Sequence, residues 1–145
     1  MAQVSTYLNF ERDTEAAFNF YKSVFGTEFV NGIMRHGDVP LPEGHPGPSD
    51  EERNLIINVQ LPILGGHILM GTDIPESMGM QLTPGNNVTI CLHPDSRAEA
   101  DTLFAALSAG GAATQPMTEM FWGDYYGTLT DTFGINWMID CTSKT

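Results

Sequence analysis

Asp124 lies between Gly123 and the pair Tyr125-Tyr126, two residues after Trp122. A carboxylate among aromatic rings has three uses: it can pair with a substrate cation, take a proton when partly buried, or cap a turn by accepting backbone amides. Trp122 and Tyr126 supply ring faces that could orient a small ligand. Trp122, like Trp137, also reads as core, since large aromatics chiefly supply buried area. His67 begins an apolar run beside Gly65-Gly66, and His36 opens a long Pro-rich stretch. Either could ligate a metal or carry a proton, and either could be a hydrogen-bonded structural histidine. His45 and His93 read as loop residues.

Other chemistries have little to stand on. Cys91 and Cys141 are far apart in apolar runs, so they read as buried free thiols, suited to a reducing cytoplasm, and not as a disulfide or a zinc knuckle. There is no Gly-x-Ser-x-Gly elbow. No Gly-x-Gly-x-x-Gly follows a first strand, and Gly65-Gly66 reads as a hairpin turn, so neither a nucleotide-type cofactor nor S-adenosylmethionine is expected. Eighteen acidic against six basic residues give a net charge of −12, which repels nucleic-acid phosphates and anionic lipid surfaces. No basic, apolar leader is visible and no apolar run reaches the roughly 20 residues that span a bilayer. The expectation is one compact cytoplasmic domain over residues 1–145, long enough to bury a core without staples.

The elements that must position these residues occur twice. Val4–Phe10 alternates as a strand, and a helix capped by Asp13 or Thr14 carries Ala17, Phe18, Tyr21, Val24 and Phe25 to a left-handed exit at Gly26. A strand is expected at Glu28–Arg35, a long loop at His36–Arg53, and a hairpin from Leu55–Leu61 through Leu64-Gly65-Gly66 to His67–Gly71. After a linker at Pro75–Gly85 the order repeats. A strand at Asn87–Leu92 leads to a helix opened by a Ser96–Glu99 capping box, with Ala100, Leu103, Phe104 and Leu107 on its core face. That helix stops at Gly110-Gly111, and a strand near Thr114–Met120 leads into the aromatic hairpin, whose turn is Asp131-Thr132-Phe133-Gly134. Residues 1–75 and 86–145 therefore each read as βαβββ, a duplicated module whose exposed sheet edges need a partner.

The run Phe-Trp-Gly-Asp, the turn Asp131-x-Phe133-Gly134 and Trp137-Met138-Ile139, together with Tyr7-Leu8-Asn9-Phe10 and a helix closing at Phe25-Gly26, resemble the PhnB-like branch of the vicinal oxygen chelate superfamily, the glyoxalase and bleomycin-resistance fold. The resemblance covers nearly the whole chain. It implies an α+β fold in which two βαβββ modules curl into a cupped, half-barrel mixed sheet, and a homodimer whose subunits complete each cup around a small molecule. It also implies a divalent metal held by His, Gln or Glu. Aligned on strand-to-helix spacing, those positions fall at Thr6, Met70, Asn87 and Met138; a slip of one residue brings in Tyr7, Leu69, Val88 or Trp137. None suits a hard or borderline divalent ion.

The chain departs from the commoner family wording at Tyr125, Thr132 and Ile135, where a basic residue, Pro and His are usual. The expectation is therefore a small-molecule cup with no metal and no cofactor, lined by candidates Thr6, His67, Met70, Asn87, Trp122, Asp124, Tyr126 and Met138. The alternative is a glyoxalase-like or dioxygenase-like enzyme with an unconventional metal site helped by His36, His67 or Glu119.

Overall fold

The computed structural model describes residues 1–40, 44 and 47–145; His45, Pro42 and Pro46 of the expected loop lie outside the described residues. The chain divides into two compact units, Met1–Thr83 and Pro84–Thr145. The first contains β1 (Thr6–Phe10), α1 (Thr14–Phe25), β2 (Met34–Arg35), β3 (Ile56–Pro62) and β4 (Ile68–Asp73). The second contains β5 (Ile90–Leu92), α2 (Arg97–Ser108), β6 (Ala112–Glu119), β7 (Tyr125–Thr130) and β8 (Asn136–Cys141). Both are βαβββ, with the same strand order: β1-β4-β3-β2 and β5-β8-β7-β6. In each sheet the first strand lies parallel to the last, and the remaining pairs are antiparallel. This is the two-module α+β plan expected from the sequence. Among the described residues no helix is long and apolar enough to cross a membrane.

In the first unit α1 packs on β3 and β4 through Ala17, Phe18 and Tyr21, all fully buried. Phe18 meets Tyr21 edge to face at 5.5 Å, a favoured aromatic geometry. The ring of Phe18 lies so close to Gly71 that a Cβ added there would be 2.7 Å from Phe18 Cε2. Asp13 is the N-cap residue, but its side chain makes no capping bond. Buried Asp73, at the end of β4, does that work: Oδ1 accepts from Thr14 N at 3.1 Å and Thr14 Oγ1 at 2.7 Å, and Oδ2 accepts from Ile56 N at 2.8 Å. A helix-end amide is thus satisfied from across the sheet.

The strand expected at Glu28–Arg35 shrinks to Met34–Arg35. Asn31 at φ 59° and Gly32 at φ 73° are left-handed residues that break an extended strand, and before them β3 is reached by the Val30 amide at Gln60 O and by the Thr27 hydroxyl at Pro62 O. The ends of the loop that follows are drawn together by His36 N donating to Leu55 O at 2.9 Å and by Arg35, which bonds Glu15 and Asn54 O. Buried Glu52 fastens the loop by accepting from Ser49 and Ser77.

In the second unit Ser96 Oγ accepts from Glu99 N at 3.1 Å, as a capping box requires. The Glu99 carboxylate accepts from Asp95 N at 3.2 Å instead of the N-cap amide. Ala100, Leu103 and Leu107 are buried as expected, and Phe104 lies over Gly127, where an added Cβ would be 3.0 Å from Phe104 Cε2. At the β7–β8 turn Asp131 Oδ1 accepts from Phe133 N (2.8 Å) and Ile135 N (3.0 Å), while Oδ2 accepts from the Trp137 indole (2.9 Å). Trp137 is fully buried, whereas Trp122 is 51% exposed. The core reading therefore fits Trp137 and fails for Trp122.

Candidate functional site

Strand alternation gives each sheet two sides. Leu69, Gly71 and Asp73 of β4 face α1, so the register partners Thr6–Leu69 and Tyr7–Met70 put Thr6 on the helix side and Tyr7 and Met70 on the far side. Asn9 and Thr72 follow on that far side, and Gln60 lies beside Met70. In the second unit Gly127 and Tyr125 face α2: Gly127 meets Phe104, and the Tyr125 hydroxyl donates to Asp101 at 2.7 Å. Their neighbours in register put Tyr126, Thr128, Met138, Asp140 and Cys91 on the far side.

The residues singled out from the sequence are dispersed by this geometry. Thr6 and His67 do meet, sharing a 2.9 Å hydrogen bond between Oγ1 and Nε2, but on the other side of the sheet from Met70, whose sulfur accepts from Ser5 Oγ at 3.3 Å. Asn87 is exposed and precedes β5, which begins at Ile90. His36 is buried, its Nε2 3.3 Å from Asp73 O. Glu119 is an exposed partner of Arg97 at 2.8 Å, and that guanidinium holds its carboxyl below the usual range. Trp122 and Tyr126 stay together, their rings 6.2 Å apart, with the 97% exposed Phe121 stacked edge-on against Trp122 at 4.9 Å.

Asp124 belongs to a cluster that also draws on residues the sequence reading set aside. Its carboxyl lies near enough to Asp140, the register partner of Tyr126, to act on the Asp140 carboxyl. Burial holds the Asp140 carboxyl above the ordinary aspartate range, the Asp124 carboxyl adds to this, and His93 opposes it. Asp140 Oδ1 is shut away from solvent with no direct hydrogen-bond donor among the described residues.

His93 was read as a loop residue, and its ring ties the cluster together: Nδ1 lies 3.1 Å from Asp140 O and 3.8 Å from Asp140 Oδ2. A carbonyl only accepts, so Nδ1 carries the hydrogen and Nε2 of the neutral ring accepts from the Cys91 thiol at 3.4 Å. Burial, with the Asp140 charge, pushes that thiol's pKa up, so Cys91 stays protonated and is a poor nucleophile. Cys91 is only partly buried, unlike Cys141. Period-2 continuation from Met138 to Asp140 and from Cys91 to His93 on paired strands was the signal that could have revealed this cluster.

The superfamily metal does not fit these residues. The far sides offer phenols, hydroxyls, thioethers and amides, and in the second unit the Cys91 thiol, the His93 imidazole and the carboxyls of Asp124 and Asp140. Among the described residues no three His, Cys, Asp or Glu side chains come together in a way that could hold a metal ion. Thioethers prefer soft copper, and neutral oxygens bind hard cations weakly without carboxylate help.

Comparison with known proteins agrees with the fold. A family model described as 3-demethylubiquinone-9 3-methyltransferase matches residues 2–140. The crystal structure of protein PA1353 from Pseudomonas aeruginosa is 30% identical, with a TM-score of 0.82 over 97% of this chain and 98% of that one. A PhnB protein from Bacillus cereus, to which the same methyltransferase description is attached, is 27% identical, with a TM-score of 0.72 over 97% of this chain and 99% of that one. A glyoxalase/bleomycin resistance protein/dioxygenase family enzyme from Burkholderia phytofirmans, 21% identical over 95% of this chain and 98% of that one, shares the fold with a TM-score of 0.63. With a family model spanning all but the chain's ends and the glyoxalase/bleomycin resistance/dioxygenase fold shared with these structures, the protein belongs to the PhnB-like, 3-demethylubiquinone-9 3-methyltransferase-like family.

Proposed function

We propose that this chain is a homodimeric small-molecule-binding protein in which the far side of a sheet walls a ligand cup that works without a metal. One observation carries the reading. Tyr7, Met70, Thr72, Tyr126, Thr128 and Met138 on those far sides suit contact with an apolar or aromatic body, and among the described residues the stronger donors Asp124, Asp140, Cys91 and His93 do not form a group of three that could hold a metal ion. The exposed Trp122, with Tyr126 beside it, adds flat apolar area of the kind that ligand sites expose. The charge of −12 disfavours anionic polymers as partners, and the expected place of work is the cytoplasm.

The reading says nothing of methyl transfer, because no glycine-rich turn for a nucleotide-type cofactor opens either unit. The test is a thermal-shift screen of small aromatic and apolar compounds, with light scattering on the same sample. Saturable stabilisation by compounds of this class, on a species of twice the chain mass, is the expected result. A monodisperse monomer would overturn the dimeric part, and no stabilisation by any such compound would overturn the binding part.

A further inference from the structure

We propose that Arg97 and Lys144 are positioning residues that clamp the β6–β7 turn, residues 120–124, through the Gly123 carbonyl, and so hold Trp122 beside Tyr126 as a fixed aromatic wall. That this wall belongs to a ligand cup rests on the small-molecule reading above, whereas the clamp itself is tested without a ligand.

The turn has a firm shape and little that fixes its place. Met120 N donates to Asp124 O at 2.8 Å and Gly123 N to Met120 O at 2.9 Å, with Gly123 at φ 98°, a conformation that glycine adopts without strain. None of residues 119–124 is fully buried, and Phe121 near the tip is 97% exposed. A segment with so few buried apolar contacts keeps its position through polar bonds or not at all.

Those bonds converge on one atom. Lys144 Nζ donates to Gly123 O at 2.9 Å, and Arg97 Nη2 donates to the same oxygen at 3.4 Å. Arg97 and Lys144 are the only Lys or Arg residues between 84 and 145, so both such cations of the second unit act on one carbonyl. Hydrogen bonds from charged donors are stronger than neutral ones. Arg97 is in turn held from several directions: Nε donates to Ser143 O at 3.1 Å, the backbone amide to Thr145 O at 2.9 Å, and Nη2 to Glu119 Oε1 at 2.8 Å. Its guanidinium also lies 5.0 Å from the centre of the Tyr125 ring, a favourable cation and ring pairing. The start of α2, the end of β6 and the segment after β8 thus meet at one side chain. Lys144 approaches so closely that a β-carbon at Gly123 would collide with Nζ.

The grip is on the helix side of the sheet, and the rings it places are on the far side. Tyr125 turns toward α2, where its hydroxyl bonds Asp101. Tyr126, on the opposite side, lies 6.2 Å ring to ring from Trp122. A clamp one residue along the chain therefore sets where the half-exposed Trp122 stands.

The test is NMR on the full chain. In the wild type the amides of Phe121, Trp122 and Gly123 should have order parameters near the rigid value of about 0.85, with nuclear Overhauser contacts between the Trp122 and Tyr126 rings. Arg97→Met combined with Lys144→Met should lower those three values below about 0.6 and abolish the ring contacts, while β7, β8 and the buried Trp137 indole keep their signals. Lys144→Met alone, at an exposed position, should give a smaller loss at the same three amides, and Lys144→Arg should give none, since arginine keeps a charged donor. Rigid amides and intact ring contacts in the double variant overturn the inference, as does a Lys144→Met protein in which order falls throughout the unit or nowhere. The single variant decides if the double variant fails to fold. Either failure leaves the small-molecule reading to its own screen.

Discussion

The two units share one plan and differ in what they put on the side of the sheet away from their helix. In the first, the residues that β1 and β4 place there, Tyr7, Asn9, Met70 and Thr72, carry no carboxyl. In the second, Asp140 with Asp124 and His93 concentrates titratable groups there. The helix sides, by contrast, solve one problem in parallel. Phe18 closes on Gly71 and Phe104 on Gly127, each at a point where a β-carbon would not fit without displacement. Each unit also buries one aspartate in a hydrogen-bond hub, Asp73 or Asp131. Packing constrains one side of the module, and the other side is free to acquire chemistry.

The hubs are where the comparison is easiest to break. Asp73→Ala strands the amides of Thr14 and Ile56, and Asp131→Ala strands those of Phe133 and Ile135 together with the buried Trp137 indole. Each should cost about 4 kcal/mol of stability in urea unfolding, given that a buried group left unpaired costs roughly 1–3 kcal/mol. A cost under about 1 kcal/mol at either site would show that the two hubs are not equivalent. Next come Gly71→Ala and Gly127→Ala, which should each lose about 2 kcal/mol by overpacking. Gly127 is also crowded by Met117 Sδ, so relief by Met117→Ala should appear in the second unit alone.

The far sides should respond to pH more than to packing. The raised carboxyl of Asp140 means the folded state holds a proton that the unfolded chain has released, so stability falls as pH climbs from the ordinary aspartate range through the folded value. Asp140→Asn removes that loss, and its melting temperature should gain on the wild type as pH rises through that window. A constant difference across the window would contradict the raised Asp140 carboxyl. The smallest effects belong to the surface. Phe121→Ser should shift stability by about 0.5 kcal/mol or less, since a ring left in solvent contributes little.

Particular residues explain what was legible in the sequence. Both helices, the Gly26 exit, the Ser96 cap and the Asp131 turn follow from local rules, so their positions were readable. The strand at Glu28–Arg35 was not, because Asn31 and Gly32 adopt left-handed backbone that no alternation pattern announces. The duplicated plan was legible because the order of elements repeats. At the site, Asp124 was found from its aromatic neighbours. Asp140 and His93 were missed because their meeting depends on the pairing of β5 with β8, some fifty residues apart. Thr6 was placed by spacing alone, and a one-residue difference in register sends it to the helix side, with Tyr7 taking the position beside Met70.

Metal analysis of untagged, dialysed protein, followed by melting curves of the apo form with Mn, Fe(II), Co, Ni and Zn added singly, tests the proposed metal-free cup directly. The expected result is no stoichiometric metal and no saturable rise in melting temperature. A bound metal at one per chain, or a saturable stabilisation by any of the five, would contradict it and direct attention to His36, His67 and Glu119 as ligands.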